Sequence, residues 1–347
     1  MEFIKPGINI DFIGRRKIAF VLSVTLIVAT VFLLIWRGGP NYGVDFAGGV
    51  LVQVKLDQRH TPSEIRAAFT SPMLRESIIQ EFGEEEEAEY LIRIRETGVE
   101  LTGLSENVRD ELVAHFGQGV DIRRVEMVGP TVGEDLRQKA LFAIFYSILF
   151  IAIYISGRFE LKWGMSMVMA ASLALVVYVA SRLGVSVTWL ILLALLVTLA
   201  LCWFFRLKYA MGAIVALIHD VIITVGAFAL TDREISLSII AAFLTIVGYS
   251  LNDTIVVFDR LRENTRRFRR RSFADTMNTS INETLSRTIL TSLTTLVVVV
   301  SLFILGGGVI HDFAFAILVG IIVGSYSSVF VASPILLVWQ ERFAQKT

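Results

Sequence analysis

Eight stretches of this chain are almost wholly apolar, and one long interval between the first two is not. The apolar runs are Ile18–Trp36, Ala140–Ser156, Trp163–Ser181, Val185–Phe205, Tyr209–Leu230, Ile235–Phe258, Thr288–Leu305 and Phe313–Trp339. Each comes near the roughly 20 residues that a helix needs to cross the hydrocarbon of a bilayer. Together they predict a polytopic α-helical membrane bundle over 137–339 after a first span at 18–36. Pro334, inside the last run, predicts an end or a kink there. Arg15, Arg16 and Lys17 precede the first run, and no small-x-small cleavage site follows it. It therefore reads as a retained span and not as a signal peptide.

The interval 37–136 carries the pattern of a small α+β module. Val50–Leu56 alternates like a strand, and Thr61-Pro62-Ser63-Glu64 reads as a capping box that starts a helix. Ser77–Phe82 and Tyr90–Arg95 read as strands around an acidic turn, Glu84–Glu87. Leu104–Phe116 reads as a helix and Asp121–Val128 as a strand. The order β-α-β-β-α-β predicts a ferredoxin-like domain. Its glycine-rich opening, Gly38–Gly49, predicts tight turns; no G-K-[ST] follows, so a phosphate cradle is excluded. His60 and His115 stand alone in the sequence, and neither is assigned to a metal. Residues 1–17, with Phe3, Ile4, Ile8, Ile10, Phe12 and Ile13 among polar positions, predict a segment lying on the membrane surface. Residues 340–347 form a short tail.

Composition changes little in this picture, and charge orients it. With 54% hydrophobic residues among 347, the chain is too apolar for a soluble domain. Its one cysteine, Cys202, excludes an internal disulfide. The net charge is zero, yet 37–136 hold 19 acidic and 10 basic side chains, a net of −9, and the remainder a net of +9. The basic residues fall in the short loops that eight spans place on one side: Lys5 and Arg15–Lys17, Arg158 and Lys162, Arg206 and Lys208, and seven arginines from Arg260 to Arg271. By the positive-inside rule that side is the cytoplasm, with both termini, and the acidic module is extracytoplasmic. The arginine cluster is read as a topology signal set in the lipid bilayer, not as a nucleic-acid site.

Candidate chemistry is intramembrane. Asn252 and Asp253 lie inside the run Ile235–Phe258, with Ser250 and Thr254 beside them. An ionisable side chain in a membrane helix is costly and usually marks a proton or ion path, so Asp253 is the first candidate. The competing reading has Asp253 near the helix end, reaching to the interface. Asp220, about mid-run with His219 adjacent, is a second polar centre. Consecutive positions point in different directions, so His219 and Asp220 are not expected to act as a pair. Gly320, Gly324, Ser325, Ser327 and Ser328 predict a close helix-packing surface. Leu161-Lys-Trp-Gly-Met-Ser-Met-Val-Met-Ala170 and Leu207-Lys-Tyr-Ala-Met-Gly-Ala-Ile-Val-Ala216 are alike at an offset of 46. Trp163–Ser181 and Val185–Phe205 are therefore read as a degenerate copy of neighbouring spans, set at the bundle's edge. No motif calls for a cofactor.

Several long motifs resemble the SecF family, the bacterial membrane subunit that works with SecD. They are G-G-P-N-Y-G-V-D-F-A-G-G at Gly38–Gly49, V-G-P-T-V-G at Val128–Gly133, A-L-I-H-D-V-I-I-T at Ala216–Thr224, V-G-Y-S-L-N-D-T-I-V-V-F-D-R-L-R-E-N at Val247–Asn264 and L-S-R-T-I-L-T-S at Leu285–Ser292. The resemblance implies a resistance-nodulation-division type bundle and proton-driven help to protein export late in translocation. It implies a SecD-like subunit, the SecYEG channel, YajC and the translocating polypeptide as partners. The family has six spans, and the pair within 163–205 departs from it. The family's essential aspartate falls on Asp253 and its essential arginine on Arg287. Such a pair makes physical sense, since a nearby guanidinium favours the carboxylate while burial disfavours it. Arg287, Thr291 and Thr294 or Thr295 would share a helix face able to hold water. An exporter of small molecules or lipids from the same superfamily is the alternative, although those usually carry two membrane halves in one chain. An intramembrane enzyme is disfavoured, because no paired-aspartate, H-E-x-x-H or Ser–His motif is present.

Overall fold

The computed structural model describes residues 9–82, 88–94, 101–306 and 308–344. The surface segment at 1–8, the acidic turn Glu84–Glu87, Arg95 and the end of the tail lie outside the described residues.

The first apolar run forms α1 (Arg16–Arg37), closed by Gly38 at φ +76°. That left-handed turn is open to glycine without penalty and lets the amides of Gly38 and Gly39 reach back to Ile35 and Leu34. A single turn, α2 (Val44–Ala47), leads into the module. There β1 (Gly49–Leu56), α3 (Pro62–Ala68), the short α4 (Pro72–Arg75), β2 (Ile78–Phe82), β3 (Glu89–Ile94), α5 (Leu101–Phe116) and β4 (Val120–Val128) follow in order. Thr61 accepts from the Glu64 amide and Glu64 from the Thr61 amide, completing the predicted capping box. The Thr61 amide holds the exposed Glu64 carboxyl below its ordinary range. The sheet order is β2-β3-β1-β4 with all neighbours antiparallel. Val50, Val52, Val54, Ile92 and Ile94 bury one face beneath α3 and α5, against Phe69, Leu104 and Leu112. The opposite face carries Leu51, Leu91, Arg93, Arg124 and Glu126. It looks toward the bundle across a cavity of about 880 Å³, whose far wall includes Thr231–Glu234, Phe303 and Asp312.

The bundle comprises α6 (Pro130–Glu160), α7 (Trp163–Arg182), α8 (Val187–Phe204), α9 (Lys208–Leu230), α10 (Leu237–Arg267), α11 (Phe273–Leu305), α12 (Gly308–Ser327) and α13 (Ser333–Ala344). Among the described residues, seven helical segments are long and apolar enough to cross a membrane, and Trp189–Phe204 within α8 is a shorter apolar stretch. Several boundaries differ from the predicted ones. Helix α6 starts at Pro130, inside the interval assigned to the module, because proline is well suited to the first helical position. The predicted loop 259–287 is helical except near 268–272, since α10 and α11 run on as a polar hairpin past their apolar runs. Buried Asn264 holds that hairpin together, donating to Ser280 at 3.1 Å and to Glu283 at 2.7 Å. The predicted break at Pro334 takes the form of a π-helical turn, Ser328–Ala332. Proline cannot donate to the carbonyl of Phe330 and its ring crowds that oxygen; a widened turn relieves both.

Helices α7 and α8 pack on each other and on α6 and α9 at one side of the bundle. Most of α7 faces outward. The centre is made by α9, α10 and α12, with α1 and α11 outside them.

Three successive charges between α9 and α10 join the module, α1 and α12 at one corner. Asp232 pairs with Arg37 at the end of α1 at 2.5 Å, Arg233 pairs with Asp312 on α12, and Glu234 pairs with Arg93 on β3. The backbone joins in: the Gly43 amide donates to Ile235 O at 2.9 Å and the Ile235 amide to Asn41 O at 2.8 Å. Arg93 is 3% exposed and the Glu234 side chain 16% exposed, so Arg93→Ala leaves a half-buried carboxylate without its cation. A cost of about 1–3 kcal/mol is expected, read as faster hydrogen exchange at Asn41–Gly43 and Ile235. Unchanged exchange there would show that the backbone contacts suffice.

Candidate functional site

Asp253 is buried, 2% exposed, on the inward face of α10. Its Oδ2 accepts from Ser325 of α12 at 3.4 Å and from Ser292 of α11 at 3.5 Å, and those two hydroxyls meet each other at 2.8 Å. The interior reading of Asp253 is thus the one the structure carries. One turn earlier Ser250 is buried as well, and one residue later Thr254 shares a 2.8 Å hydrogen bond with Ser328. Three helices therefore meet at this acid through hydroxyl groups alone.

Two expected members make no direct contact with the acid. Asn252 is exposed; a step of one residue turns it about 100° around α10, away from the acid. Arg287 is also exposed, on α11, and makes no ion pair with Asp253 within 4.0 Å. The threonines on its face donate to their own helix and keep their oxygen lone pairs free to accept. Thr291 Oγ1 donates to Arg287 O at 3.0 Å, Thr294 to Leu290 O at 3.0 Å and Thr295 to Thr291 O at 2.9 Å, as hydroxyls in apolar surroundings do with their own helix.

Asp220, near the middle of α9, is 1% exposed and lies at the centre of a second cluster. Its Oδ2 accepts from Ser250 at 2.5 Å and from Ser327 at 2.8 Å. Its Oδ1 lies 2.9 Å from Nδ1 of His219, so the two residues do pair, against expectation. Adjacent helical positions set the Cβ directions apart, but free rotation about the side-chain bonds brings ring and carboxylate together. The second ring nitrogen lies 3.1 Å from Ser23 Oγ on α1, and Ser23 lies 3.1 Å from the hydroxyl of Tyr326. Ser23 and Tyr326 were not singled out by pattern, since a lone serine in a first span looks like any other small residue.

The small residues of α12 let these groups approach. A Cβ on Gly320 would lie 2.3 Å from the Ile246 side chain, and one on Gly324 would lie 2.9 Å from Ser250 Cβ. The predicted packing surface is therefore also the one that presents Ser325 and Ser327 to the two acids.

A polytopic helical membrane protein with one soluble α+β module and buried acids in its bundle is the class these features define. The family described as protein export membrane protein SecD/SecF, C-terminal, matches residues 108–199 and again 177–342. The SecD/SecF GG motif matches 34–58. Protein translocase subunit SecF of Desulfurispirillum indicum is 40% identical over 97% of this chain and 93% of its own length. Its namesake from Vibrio alginolyticus is 38% identical, over 97% and 91%. The crystal structure of SecDF from Thermus thermophilus, a translocon-associated membrane protein, superposes with a TM-score of 0.72 at 30% identity. It covers 99% of this chain, which spans 40% of that longer one. SecDF in its super-membrane-facing form gives 0.60 at 29% identity. The chain belongs to the SecF family of protein-export membrane proteins.

Proposed function

We propose that this SecF-family chain uses the proton motive force to assist late steps of protein translocation across the inner membrane, with Asp253 as the group that takes up and releases the proton. The burial of Asp253 among hydroxyls, with no ion pair, carries the reading. An arginine in contact would hold the carboxylate in its charged form; two long serine contacts leave both forms accessible. Asp220 is a second candidate for the same path. Arg287 keeps its candidate role in another way. Its exposed guanidinium, where the polar part of α11 meets the apolar run, is open to a charged or polar group of a SecD-like half packed on that face. Asn252, turned the same way as no other group of the site, drops to the surface of the bundle.

The sidedness follows the charge pattern: both termini cytoplasmic, the module extracytoplasmic and ferredoxin-like in its strand order, and eight spans. The SecYEG channel, YajC and an emerging polypeptide are the further partners. The two overlapping family matches, and the position of α7 and α8 at one side, support reading 163–205 as repeated sequence inserted at the edge.

The substrate half of the proposal is tested by photo-crosslinkers at Leu51, Gln80 and Arg124, on the face toward the cavity. Capture of a stalled export substrate is expected, together with co-purification of a second chain bearing the matching membrane half. Isolation of the chain with neither would favour the small-molecule or lipid exporter.

A further inference from the structure

We propose that His219 and Asp220 form a second proton-binding site, separate from Asp253 and loaded from the α1 side through Tyr326 and Ser23. The inference deepens the proton-coupled reading above and rests on it. Four groups line up at hydrogen-bond distance: Asp220 Oδ1 to His219 Nδ1, 2.9 Å; His219 Nε2 to Ser23 Oγ, 3.1 Å; Ser23 Oγ to the Tyr326 hydroxyl, 3.1 Å. The line leads from the middle of α9 to Tyr326, whose hydroxyl also lies 2.7 Å from Ala19 O, one turn into α1. His219 and Asp220 are 3% and 1% exposed, whereas Tyr326 is only half-buried.

The chemistry is a relay of existing protons. With Nδ1–H donated to Asp220, Nε2 is an acceptor for the Ser23 hydroxyl. The tyrosine proton has two acceptors within reach, Ala19 O and Ser23 Oγ, so the chain is joined when it turns to Ser23. As hydronium gives a proton to the Tyr326 oxygen, the tyrosine proton passes to Ser23 and the serine proton to Nε2. Only O–H and N–H bonds form and break. The product is an imidazolium against the Asp220 carboxylate, which Ser250 and Ser327 already hold.

Little else is near enough to take over this proton. Ser23 faces the pair from α1, Tyr326 and Ser327 from α12, and Ser250 from α10. On α10, Asp253 turns to Ser292 and Ser325, and Asp259 and Glu263 pair with Arg158 and Arg260 further along the helix. Glu160 on α6 and Lys208 lie at the end of α9 about three turns away; α8 carries no charge, and Glu341 and Arg342 of α13 lie beyond the π-helical turn. Among the described residues no lysine, arginine or further acid is in ion-pair contact with His219 or Asp220.

The test uses the full chain, with its co-purified membrane half, in lipid nanodiscs. With nitrogen-15 histidine placed in this chain alone, the spectra contain its four side chains, and His219→Gln assigns the one at issue. Over a scan from about pH 4 to about pH 9, the His219 ring nitrogens are expected to pass from imidazolium to neutral. Asp220→Asn is expected to change that transition, since it removes the carboxylate that faces the ring at 2.9 Å. Tyr326→Phe and Ser23→Ala are expected to slow proton exchange at Nε2 about a hundredfold while the midpoint stays. A ring that keeps one protonation state throughout, or a midpoint indifferent to Asp220→Asn, overturns the site; should Asp220→Asn fail to fold, the wild-type scan and Tyr326→Phe still decide. Asp253→Asn is expected to leave the His219 titration intact. If Asp253 proves dispensable for export, the main reading fails without touching this result.

Discussion

Asp253→Asn is expected to abolish the proton-driven part of export while leaving the bundle folded. Asparagine keeps the shape of the side chain, and its Oδ1 can accept from Ser292 and Ser325 as the carboxylate does. The cost to stability should stay within about 1 kcal/mol, the net worth of one hydrogen bond. What asparagine cannot do is change charge. If protonation of this one group is what moves three helices relative to one another, the response of translocation to an imposed pH gradient should fall to background. Translocation of a preprotein into vesicles, with and without the gradient, reads the effect. A variant that still responds as wild type does would remove Asp253 from the mechanism.

A second large loss is expected from Gly324→Leu. Any Cβ here meets Ser250 at 2.9 Å (Cβ), 3.1 Å (Oγ) and 3.3 Å (Cα). The last is backbone, so no rotamer change makes room and α12 must move off α10. Overpacking of this kind costs about 1–3 kcal/mol. Withdrawing Ser250 or Ser327 from the buried Asp220 carboxylate adds about 1–3 kcal/mol more. Both acids lose hydroxyl partners at once, so thermal stability and gradient-driven export should fall together. Gly248 offers the contrast: it lies on the facing helix α10 with open space around it, and Gly248→Ala should be tolerated. A Gly324→Leu protein with wild-type melting would mean that α10 and α12 are not in the close contact described.

What the sequence made legible, and what it left hidden, divides along a physical line. Apolar runs and strand alternation report burial against lipid or core, so the spans and the order of elements in the module could be read from them. Helix length could not, because α6, α10 and α11 extend as polar helices where hydropathy ends; capping and packing such as Asn264 with Ser280 set those limits. Asp253 and Asp220 stood out because charge in an apolar run is costly. Their partners did not. Ser23, Ser292, Ser327 and Tyr326 come from three other helices, and nothing local in sequence tells which small polar residue faces an acid. The same limit applies to Arg287: its nearness in depth to Asp253 was legible, but that its side chain is exposed on α11 and makes no direct ion pair with that acid depends on packing. His219 with Asp220 shows the reverse error, where a rule about Cβ directions was carried through to side-chain ends it does not govern.

The charged corner Asp232–Glu234 gives the molecule a path for force. A push on the module enters through Arg93 and Glu234 and leaves, two peptide bonds away, to the end of α1 and the start of α12. Peptide links do not stretch, so the ends of those helices travel with the module or an ion pair lets go. The Arg37–Asp232 bridge, with the aspartate side chain 72% exposed, is the weakest of the three. It is the first to part under load, and α1 is the helix that is then left behind.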